Sequence, residues 1–263
     1  MNDFSGQRAL VTGASSGIGA AFAEQLAALG ADLVLVARSG ARLEELAARL
    51  RKTHGVRAAV LPTDLAARGA AQRLAADLGE RSREIDVLVN NAGFAMHGLF
   101  AEANQARVNE QVALNVAAPV ELTGLLLPGM IERGRGTVVN VASTAAFQPL
   151  PHMAVYGATK AFVLSWTEAL WAETRGTGVD VLALCPGATQ TRFFEVVGTD
   201  AASVGRRQTP EQVVSAALRA LAHRRPSTVS GHANAALASL PRIMPRSVML
   251  RLSERSLRPR DAA

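Results

Sequence analysis

Between an apolar run and an amphipathic run, the chain reads Thr12-Gly13-Ala14-Ser15-Ser16-Gly17-Ile18-Gly19. Glycine permits the tight turn that joins a strand to a helix, and it lets a ligand approach the backbone closely. The first N–H groups of a helix lack partners inside that helix and lie at the positive end of its dipole. We therefore predict a β–α junction here that binds a diphosphate. The residues expected at this contact are Gly13, Ser15, Ser16, Gly17, Ile18 and Gly19.

Apolar runs rich in β-branched residues alternate along the chain with runs in which apolar residues recur at helical spacing. The predicted strands are Gln7–Thr12, Asp32–Ala37, Ala58–Pro62, Asp86–Asn90, Gly136–Ala142, Asp180–Cys185 and Ser227–Ser230. The predicted helices are Gly17–Leu29, Gly40–Thr53, Ala67–Arg81, Asn104–Arg133 and Ala154–Thr174. This alternation indicates an α/β fold, a doubly wound parallel sheet of Rossmann-like type with helices on both faces. Such sheets bind ligands at the carboxyl ends of their strands.

The composition favours one domain in a reducing compartment. A hydrophobic content of 49% in 263 residues is enough for one large core. The single Cys185 excludes an internal disulfide, and its place before Pro186 at the end of an apolar run is typical of a packing residue. No signal-peptide pattern opens the chain, and we find no apolar stretch of membrane-spanning length. We expect a soluble, cytoplasmic protein.

The formal net charge of +6 is concentrated near one end of the chain. Residues 242–260 hold six arginines and one acid, Glu254, so the rest of the chain is nearly neutral. A nucleic-acid-binding protein presents a basic face over a broad surface. We therefore expect no nucleic-acid partner and interpret the charge as a basic tail.

The end of the second predicted strand indicates the kind of dinucleotide. A protein that binds the 2′-hydroxyl of NAD places an acid there, whereas this chain has Ala37 followed by Arg38. Arginine binds phosphate oxygens through two donors and keeps its charge, which suits the 2′-phosphate of NADP. We predict NADP as the cofactor, with Arg38 as its phosphate contact and Arg42 as an additional candidate. The alternative is that Arg38 is a solvated residue at a strand end.

Tyr156 is the only tyrosine, and Lys160, one helical turn later, is one of two lysines. A phenol that exchanges a proton near neutral pH starts from a pKa of about 10. A cation one turn away favours the ionised phenol, so we predict that Lys160 lowers the pKa of Tyr156. The alternative for such a pair is two surface neighbours at helical spacing.

Taken in order, these motifs resemble the short-chain dehydrogenase/reductase family over about residues 5 to 231. The glycines match its glycine motif, and the Asn-Asn-Ala-Gly sequence at 90–93 matches its fourth strand end. The resemblance implies further cofactor contacts at Asp64, Leu65, Asn91, Ala92, Gly93, Tyr156, Lys160, Pro186, Gly187, Thr189 and Thr191.

The same resemblance implies four catalytic residues, Asn115, Ser143, Tyr156 and Lys160. Hydride transfer to a carbonyl leaves an alkoxide, so Tyr156 is expected to act as acid in reduction and base in oxidation, with Ser143 as second donor. Lys160 is expected to bind the nicotinamide ribose. Asn115 is expected to present a carbonyl from a kinked helix that holds a water under Lys160. Alone, Ser143 could be a turn former and Asn115 an ordinary polar helix residue.

Three segments are expected around the nicotinamide, namely Phe94–Phe100, Thr144–Met153 and Phe193–Val197. Most of their side chains are apolar, which favours an apolar ketone or aldehyde and its alcohol as substrates. His97 and His152 are candidate substrate contacts. The alternatives are a 3-ketoacyl-thioester or hydroxysteroid-type reductase and, from another class, a non-catalytic NADP-binding sensor or scaffold.

We expect residues 1–231 to form a Rossmann-like NADP-binding catalytic domain and residues 232–263 to form a basic extension packed on it. A helix is predicted at Ser247–Leu257. A cap over the substrate cleft or an oligomer contact is favoured for the extension. A weak membrane-surface contact is not favoured, and a packed helix without a special role is the remaining alternative.

Other classes of site lack their sequence patterns. The five histidines are scattered, so we expect no metal centre, and neither a Gly-x-Ser-x-Gly elbow nor a Gly-Lys-[Ser/Thr] P-loop is present. The two longest predicted helices carry apolar residues on more than one stripe, which predicts a homodimer or homotetramer. These residues include Leu125, Leu126, Phe162, Trp166 and Trp171.

Overall fold

A computed structural model describes residues 3–80, 84–191, 207–242 and 244–258 of the chain. Within these residues seven strands pair in parallel in the order β3-β2-β1-β4-β5-β6-β7. The strands are β1 (Arg8–Thr12), β2 (Asp32–Ala37), β3 (Ala58–Pro62), β4 (Val87–Asn90), β5 (Gly136–Val141), β6 (Val179–Cys185) and β7 (Ser227–Val229). The predicted doubly wound parallel sheet is confirmed.

Helices cover both faces of this sheet. They are α1 (Gly17–Ala28), α2 (Gly40–His54), α3 (Ala70–Glu80), α4 (Gln105–Val112), α5 (Ala118–Glu132), α6 (Ala154–Glu173), α7 (Pro210–Ala222), α8 (His232–Ser239) and α9 (Arg246–Leu257). Helices α1, α2 and α7 pack on one face, while α3 and α5 pack on the other. Successive strand residues point to opposite faces, so Val11 belongs to one apolar cluster and its neighbour Leu10 to the other.

The sheet order reverses between β1 and β4, which lie side by side although α1 to α3 separate them in sequence. Their carboxyl ends are joined by hydrogen bonds: the N–H groups of Asn91 and Ala92 donate to Oγ1 of Thr12 at 2.9 and 3.0 Å. A crevice opens at such a reversal because the two connections leave in opposite directions. The cavity of the candidate active site lies at this crevice.

The long predicted helix Asn104–Arg133 is interrupted. A π-helical segment, Ala113–Ala117, separates α4 from α5. Such a wide turn is rare and occurs mostly at functional sites. Periodicity alone did not predict it, because apolar residues continue on both sides.

Helix α7 was not predicted, although the sequence carries its start signal. Thr209 and Gln212 form a capping box, in which each side chain bonds to the backbone of the other residue. The Thr-x-x-Gln spacing before an apolar run is the signature that would have found this helix.

One helical run among the described residues, Gln105–Glu132, is long and apolar enough to cross a membrane by length and composition. This corrects the expectation that no stretch reaches that length. A core helix of a soluble protein passes the same test, so length and composition alone do not establish a membrane span. Leu122 and Met130 of this run are buried in the cluster beneath the sheet.

Candidate active site

The turn between β1 and α1 requires glycine for two separate reasons. Gly13 has a φ of 66°, in the left-handed region that side chains disfavour. A Cβ on Gly19 would meet the carbonyl oxygen of Gly13 and would lie 2.6 Å from Nδ2 of Asn91. Gly19 therefore lets α1 approach the ends of β1 and β4 closely, behind the turn.

The amino terminus of α1 is open toward a cavity. Ser16 is its N-cap in an extended conformation, and the Ser16 side chain makes no capping hydrogen bond. The N–H groups of the first turn are thus left for an anion, and five of the six predicted contacts line the cavity. They are Gly13, Ser15, Ser16, Gly17 and Ile18. These features fit the diphosphate of a dinucleotide.

Arg38 lies at the predicted 2′-phosphate end of this cavity, with an acidic neighbour that the sequence did not reveal. Its Nη1 is 3.6 Å from Oε1 of Glu110 on α4, and its side chain is 69% exposed. Glu110 also pairs with Arg107. So exposed an ion pair contributes little free energy, which allows a phosphate to replace the carboxylate at Arg38. Arg42, Asp64 and Leu65 line the same end.

Asn115 lies in the π segment and is 2% exposed. Its Oδ1 accepts from the Phe94 N–H at 3.1 Å, and its Nδ2 donates to the Phe94 carbonyl at 2.9 Å and to Oγ1 of Thr159 at 3.2 Å. Asn115 thus joins the segment after β4 to α6, which carries Tyr156. The predicted water held by its backbone carbonyl stays a prediction.

Tyr156 and Lys160 lie on the first turns of α6. Nζ of Lys160 is 5.8 Å from the centroid of the Tyr156 ring and donates to the Val141 carbonyl at 2.8 Å. The carbonyl at the end of β5 therefore fixes the lysine beneath the tyrosine. The two side chains are not independent surface neighbours, because Lys160 is only 6% exposed.

The prediction that Lys160 lowers the pKa of Tyr156 stays a prediction, because burial sets the net direction of the shift and Lys160 is not among its causes here. Burial raises the pKa of Tyr156 to about 12, and a hydrogen bond with Ser143 opposes only part of that rise. Burial also lowers the pKa of Lys160 to about 8. Loss of hydration disfavours both charged forms and outweighs the attraction of a cation at this distance. Tyr156 consequently keeps its proton at neutral pH, which is the state that an acid in carbonyl reduction requires.

Ser143 has two partners. It is the N-cap of a 3-10 turn, Thr144–Phe147, where its Oγ accepts from the Ala145 N–H at 3.1 Å, and it also hydrogen-bonds Tyr156. Ser143 therefore both forms the turn and places a hydroxyl beside Tyr156, two roles that were alternatives in the sequence analysis. Two hydroxyl groups, from Ser143 and Tyr156, therefore converge at one point of the cavity.

The loop after β6 closes another side of the cavity. The Pro186 carbonyl accepts from the Thr144 N–H at 2.9 Å, which ties this loop to the Ser143 turn. Oγ1 of Thr189 donates to the Gly187 carbonyl at 2.9 Å. Both threonines predicted here, Thr189 and Thr191, line the cavity with Pro186 and Gly187. Burial raises the pKa of Cys185 to about 12, which suits a packing thiol better than a nucleophile.

The cavity has a volume of about 660 Å³ and extends from the glycine turn to the C-terminal extension. Its far end is mostly apolar. The apolar side chains there are Phe147, Leu150 and Met153 before α6, and Leu237, Met249, Leu252 and Leu257 from the extension. The polar side chains of Gln148, Asn234, Ser253 and Ser256 also line the cavity. The extension thus covers the predicted substrate end, as a cap would.

Parts of the predicted substrate wall lie elsewhere. Leu99 and Phe100 are 52% and 60% exposed and do not line the cavity, because the chain turns outward after Gly98. His97 and His152 do not line it either and instead contact α9. The predicted segment Phe193–Val197 lies outside the described residues. Among the residues that are described, no group of three or more potential ligands could hold a metal.

Sequence reasoning missed Thr12, Glu110 and the cavity-lining residues of the extension. Thr12 precedes the first glycine, so its place at a strand end could have indicated its role. The extension offers only ordinary apolar side chains, for which no short motif exists.

A family model for short chain dehydrogenases matches residues 7–202. The ketoacyl reductase HetN of Nostoc sp. is 36% identical over 222 residues, which cover 84% of this chain and 77% of that protein. The chain spans 57% and 53% of the length of two longer curated relatives that it also matches.

Two solved structures resemble nearly the whole chain. A short-chain dehydrogenase from Sphingobium yanoikuyae in complex with NADPH has a TM-score of 0.82 at 36% identity, covering 98% of each chain. The bulky-bulky ketone specific alcohol dehydrogenase from Comamonas testosteroni has a TM-score of 0.78 at 32% identity, covering 98% of this chain and 96% of that chain. The likeness therefore continues beyond the family model into the C-terminal extension.

Proposed function

Because this chain belongs to the short-chain dehydrogenase/reductase family, we propose that it is an NADP(H)-dependent oxidoreductase that interconverts an apolar ketone or aldehyde with its alcohol. The observation that carries this proposal is the convergence of Ser143 and Tyr156 on a cavity that joins a diphosphate-binding turn to an apolar pocket. Oxidoreductase chemistry with a nicotinamide cofactor follows from the family. The identity of the cofactor and the substrate is the finer part of the proposal.

The preference for NADP is supported by charge at the adenosine end. Arg38 takes the place where an acid would bind the 2′-hydroxyl of NAD, and Arg42 lines the same end. The Sphingobium yanoikuyae structure, which resembles the chain throughout, is a complex with NADPH.

The roles of the residues follow from their positions. When bound, the cofactor supplies or accepts the hydride. In reduction, the Tyr156 hydroxyl gives its proton to the developing alkoxide, and the Ser143 hydroxyl stabilises the same oxygen. Lys160, fixed by the Val141 carbonyl, adds positive charge beneath the ring, which makes the ionised tyrosine less costly. The hydrogen bonds of Asn115 hold the segment after β4 in place against α6.

The apolar far end of the cavity favours a substrate with a large hydrocarbon part. Most of its lining is aliphatic or aromatic, with Gln148, Asn234, Ser253 and Ser256 as polar members. Apolar walls admit many apolar shapes and discriminate weakly between isosteres. The Comamonas testosteroni neighbour is specific for bulky-bulky ketones by its name. We propose a ketone of comparable bulk for this chain.

A 3-ketoacyl thioester is the second candidate substrate. Arg251 and Arg255 are exposed on α9 and have no ion-pair partner among the described residues, so they could meet a phosphate-bearing thioester carrier. HetN, which the chain resembles, is a ketoacyl reductase.

The test is a substrate panel with both cofactors. The protein should consume NADPH with apolar ketones, and it should bind NADPH at least about tenfold more tightly than NADH, equal to about 1.4 kcal/mol. Arg38→Ala should remove that preference, while Arg219→Ala, at an exposed position of α7, should leave it unchanged. Equal or tighter binding of NADH would overturn the cofactor assignment. Faster reduction of a 3-ketoacyl thioester than of any free ketone would favour the second substrate. NADPH binding without turnover of either would indicate a sensor or scaffold.

We further propose a homodimer or homotetramer in the cytoplasm. Val112, Leu125 and Phe162 are 42%, 45% and 45% exposed on α4, α5 and α6. Trp171 and Leu126 instead pack against the core, so the second apolar stripe is narrower than expected. Light scattering at micromolar concentration should give at least twice the mass of one chain, and a monomer would contradict the proposal.

A further inference from the structure

Helix α9 has two different faces over the cavity. Met249 and Leu257 are buried at 7% and 4% exposure, and both line the cavity together with Leu252. Arg251 and Arg255 point to solvent. Only the inner face can contact a substrate, so the position of α9 determines the size of the apolar end.

The carboxyl end of α9 is held by a histidine from another part of the chain. Nε2 of His97, in the segment after β4, lies 2.7 Å from the Leu257 carbonyl oxygen. A carbonyl only accepts, so His97 carries the proton on Nε2 and donates it. The last carbonyls of a helix lack partners within it, and a donor there also interacts favourably with the helix dipole.

A second histidine supports the first. The rings of His97 and His152 stack with centroids 5.8 Å apart and planes at 27°. Nε2 of His152 is 4.0 Å from Oε1 of Glu254 on α9. The His152 carbonyl accepts from the Gly98 N–H at 2.8 Å, which joins the two loops that carry the histidines.

His152 occupies an unfavourable conformation. Its φ is 63°, which is costly for a residue with a side chain, and its Nδ1 is buried without a partner among the described residues. Such a conformation persists only where the surrounding structure determines it, and it is found mostly at functional sites. Three contacts determine it here: the ring of His97, Glu254 and Gly98.

The contact reaches the catalytic tyrosine. Leu257 is buried in a cluster with Ala95 and Met153, and Tyr156 and Leu150 pack against that cluster. The residue that His97 holds through its carbonyl thus also forms part of the wall beside Tyr156. A shift of the end of α9 would change that wall.

We propose that His97 and His152 are positioning residues that hold α9 over the cavity and thereby set the affinity for bulky apolar substrates. They touch neither substrate nor cofactor and act through Leu257 and Glu254. This inference rests on the proposed function for its kinetic test.

Met249 and Leu252 on the inner face of α9 meet the hydrocarbon part of the substrate, away from the reacting carbonyl. Leu257 lies beside Tyr156, but Tyr156 is protonated at neutral pH with or without that packing, so reduction keeps its proton donor. The contacts of the inner face are therefore equally strong in the ground state and the transition state, and their loss raises KM without lowering kcat.

The kinetic test compares benzylacetone with acetone, which is too small to reach α9. His97→Ala should raise the KM for benzylacetone about tenfold and change kcat less than about twofold. The kcat/KM for acetone and the dissociation constant of NADPH should stay within about twofold of wild type. The exposed His223 makes no side-chain hydrogen bond or ion pair among the described residues, so His223→Ala is the matched control and should match wild type.

Conservative variants separate positioning from a general loss of structure. Glutamine can place an amide N–H near the position of Nε2, so His97→Gln should restore KM to within about threefold of wild type. Asparagine is one methylene shorter and should behave like His97→Ala. Failure of His97→Gln to rescue, or an equal loss with acetone and benzylacetone, would overturn the proposal.

We call the hold of His97 and His152 on α9 the clamp. Limited trypsin digestion tests the clamp without turnover. Cleavage after Arg251 and Arg255 requires α9 to open locally, so His97→Ala and His152→Ala should be cut there at least about tenfold faster than wild type. Mass spectrometry identifies the cut sites. Unchanged cleavage in both variants would overturn the clamp, even if the wild type reduced no ketone. Faster cleavage in a protein without ketone turnover would support the clamp and refute only the proposed function.

Discussion

The glycine turn at one end of the cavity and the extension at the other end achieve their positions by different physical means. At the turn, backbone geometry limits which residues fit: Gly13 has a positive φ, and a Cβ on Gly19 would collide with the backbone of Gly13. In the extension, side-chain volume is what matters: Met249 and Leu257 fill space as other apolar residues of similar volume could. The cofactor end therefore tolerates few sequences, while the substrate end tolerates many.

This difference predicts which region determines cofactor affinity and which determines substrate preference. Changes at the turn should alter cofactor affinity and leave substrate preference intact. Changes in the extension should do the reverse. Tyr156 and Ser143 line the cavity between the two regions, and changes there should affect the chemical step.

The largest effect on binding is expected at the turn. Gly19→Ala should weaken NADPH binding by about a hundredfold, because its Cβ would force α1 away from the carbonyl of Gly13 and the side chain of Asn91. Isothermal titration calorimetry measures this. Gly124→Ala is the control, since Gly124 is exposed on α5 with nothing within 4 Å of its added Cβ, and it should bind NADPH as wild type does. Equal affinity in both variants would show that the turn is not constrained.

Changes in the extension should alter the KM for the substrate and leave the affinity for the cofactor unchanged. Deletion after Ser239 should raise the KM for a bulky apolar ketone about tenfold and leave the dissociation constant of NADPH within about twofold. If truncation instead abolished salt-sensitive binding to anionic vesicles with kinetics unchanged, the extension would be a membrane contact. A large loss of NADPH affinity would erase the distinction between the regions.

The same truncation should change the pH dependence of alcohol oxidation, in which Tyr156 must be ionised to accept a proton. Burial raises the pKa of Tyr156, and Leu257 belongs to the packing around it. Removing that packing readmits water, so the pKa should fall toward its ordinary value. The rise of kcat with pH, measured at saturating alcohol so that the higher KM has no effect, should then begin at lower pH, and kcat at pH 8 should increase several-fold. An unchanged profile would mean that the rest of the cavity supplies the burial.

The smallest effect concerns the adenosine end. Glu110→Gln should tighten NADPH binding about two- to threefold and leave NADH unchanged, because the carboxylate that pairs with Arg38 also repels a 2′-phosphate. Glu132→Gln, exposed at the end of α5, is the control. Weaker NADPH binding in Glu110→Gln would show that Glu110 orients Arg38 for the phosphate instead of competing with it.

The sequence predicted the sheet, the parallel direction of its strands and the residues of the glycine turn, because each depends on local chemistry. Glycine spacing reflects backbone geometry, and strand periodicity reflects burial. The resemblance implied a kinked helix at Asn115, but periodicity did not predict the π segment there. The Phe94 N–H that donates to Asn115 lies 21 residues away in the sequence. Helix α7 was visible in principle through Thr209 and Gln212 but was not recognised.

Electrostatic environment was the part least accessible from the sequence. The spacing of Tyr156 and Lys160 indicated an attraction, but it gave no measure of burial, and burial proved the larger influence on both pKa values. The partnership of Arg38 with Glu110 joins residues 72 positions apart. The roles of His97 and His152 likewise depend on where α9 ends, which no motif specifies.

The most direct test of the account is a paired measurement on Tyr156→Phe. NADPH-dependent ketone reduction should fall at least about a thousandfold, because the ring remains while the proton donor is lost. The dissociation constant of NADPH should stay within about twofold, since the turn and Arg38 are untouched. A Tyr156→Phe variant that retained most of its ketone reduction, with NADPH binding intact, would contradict the assignment of Tyr156 as the acid and the mechanism built on it.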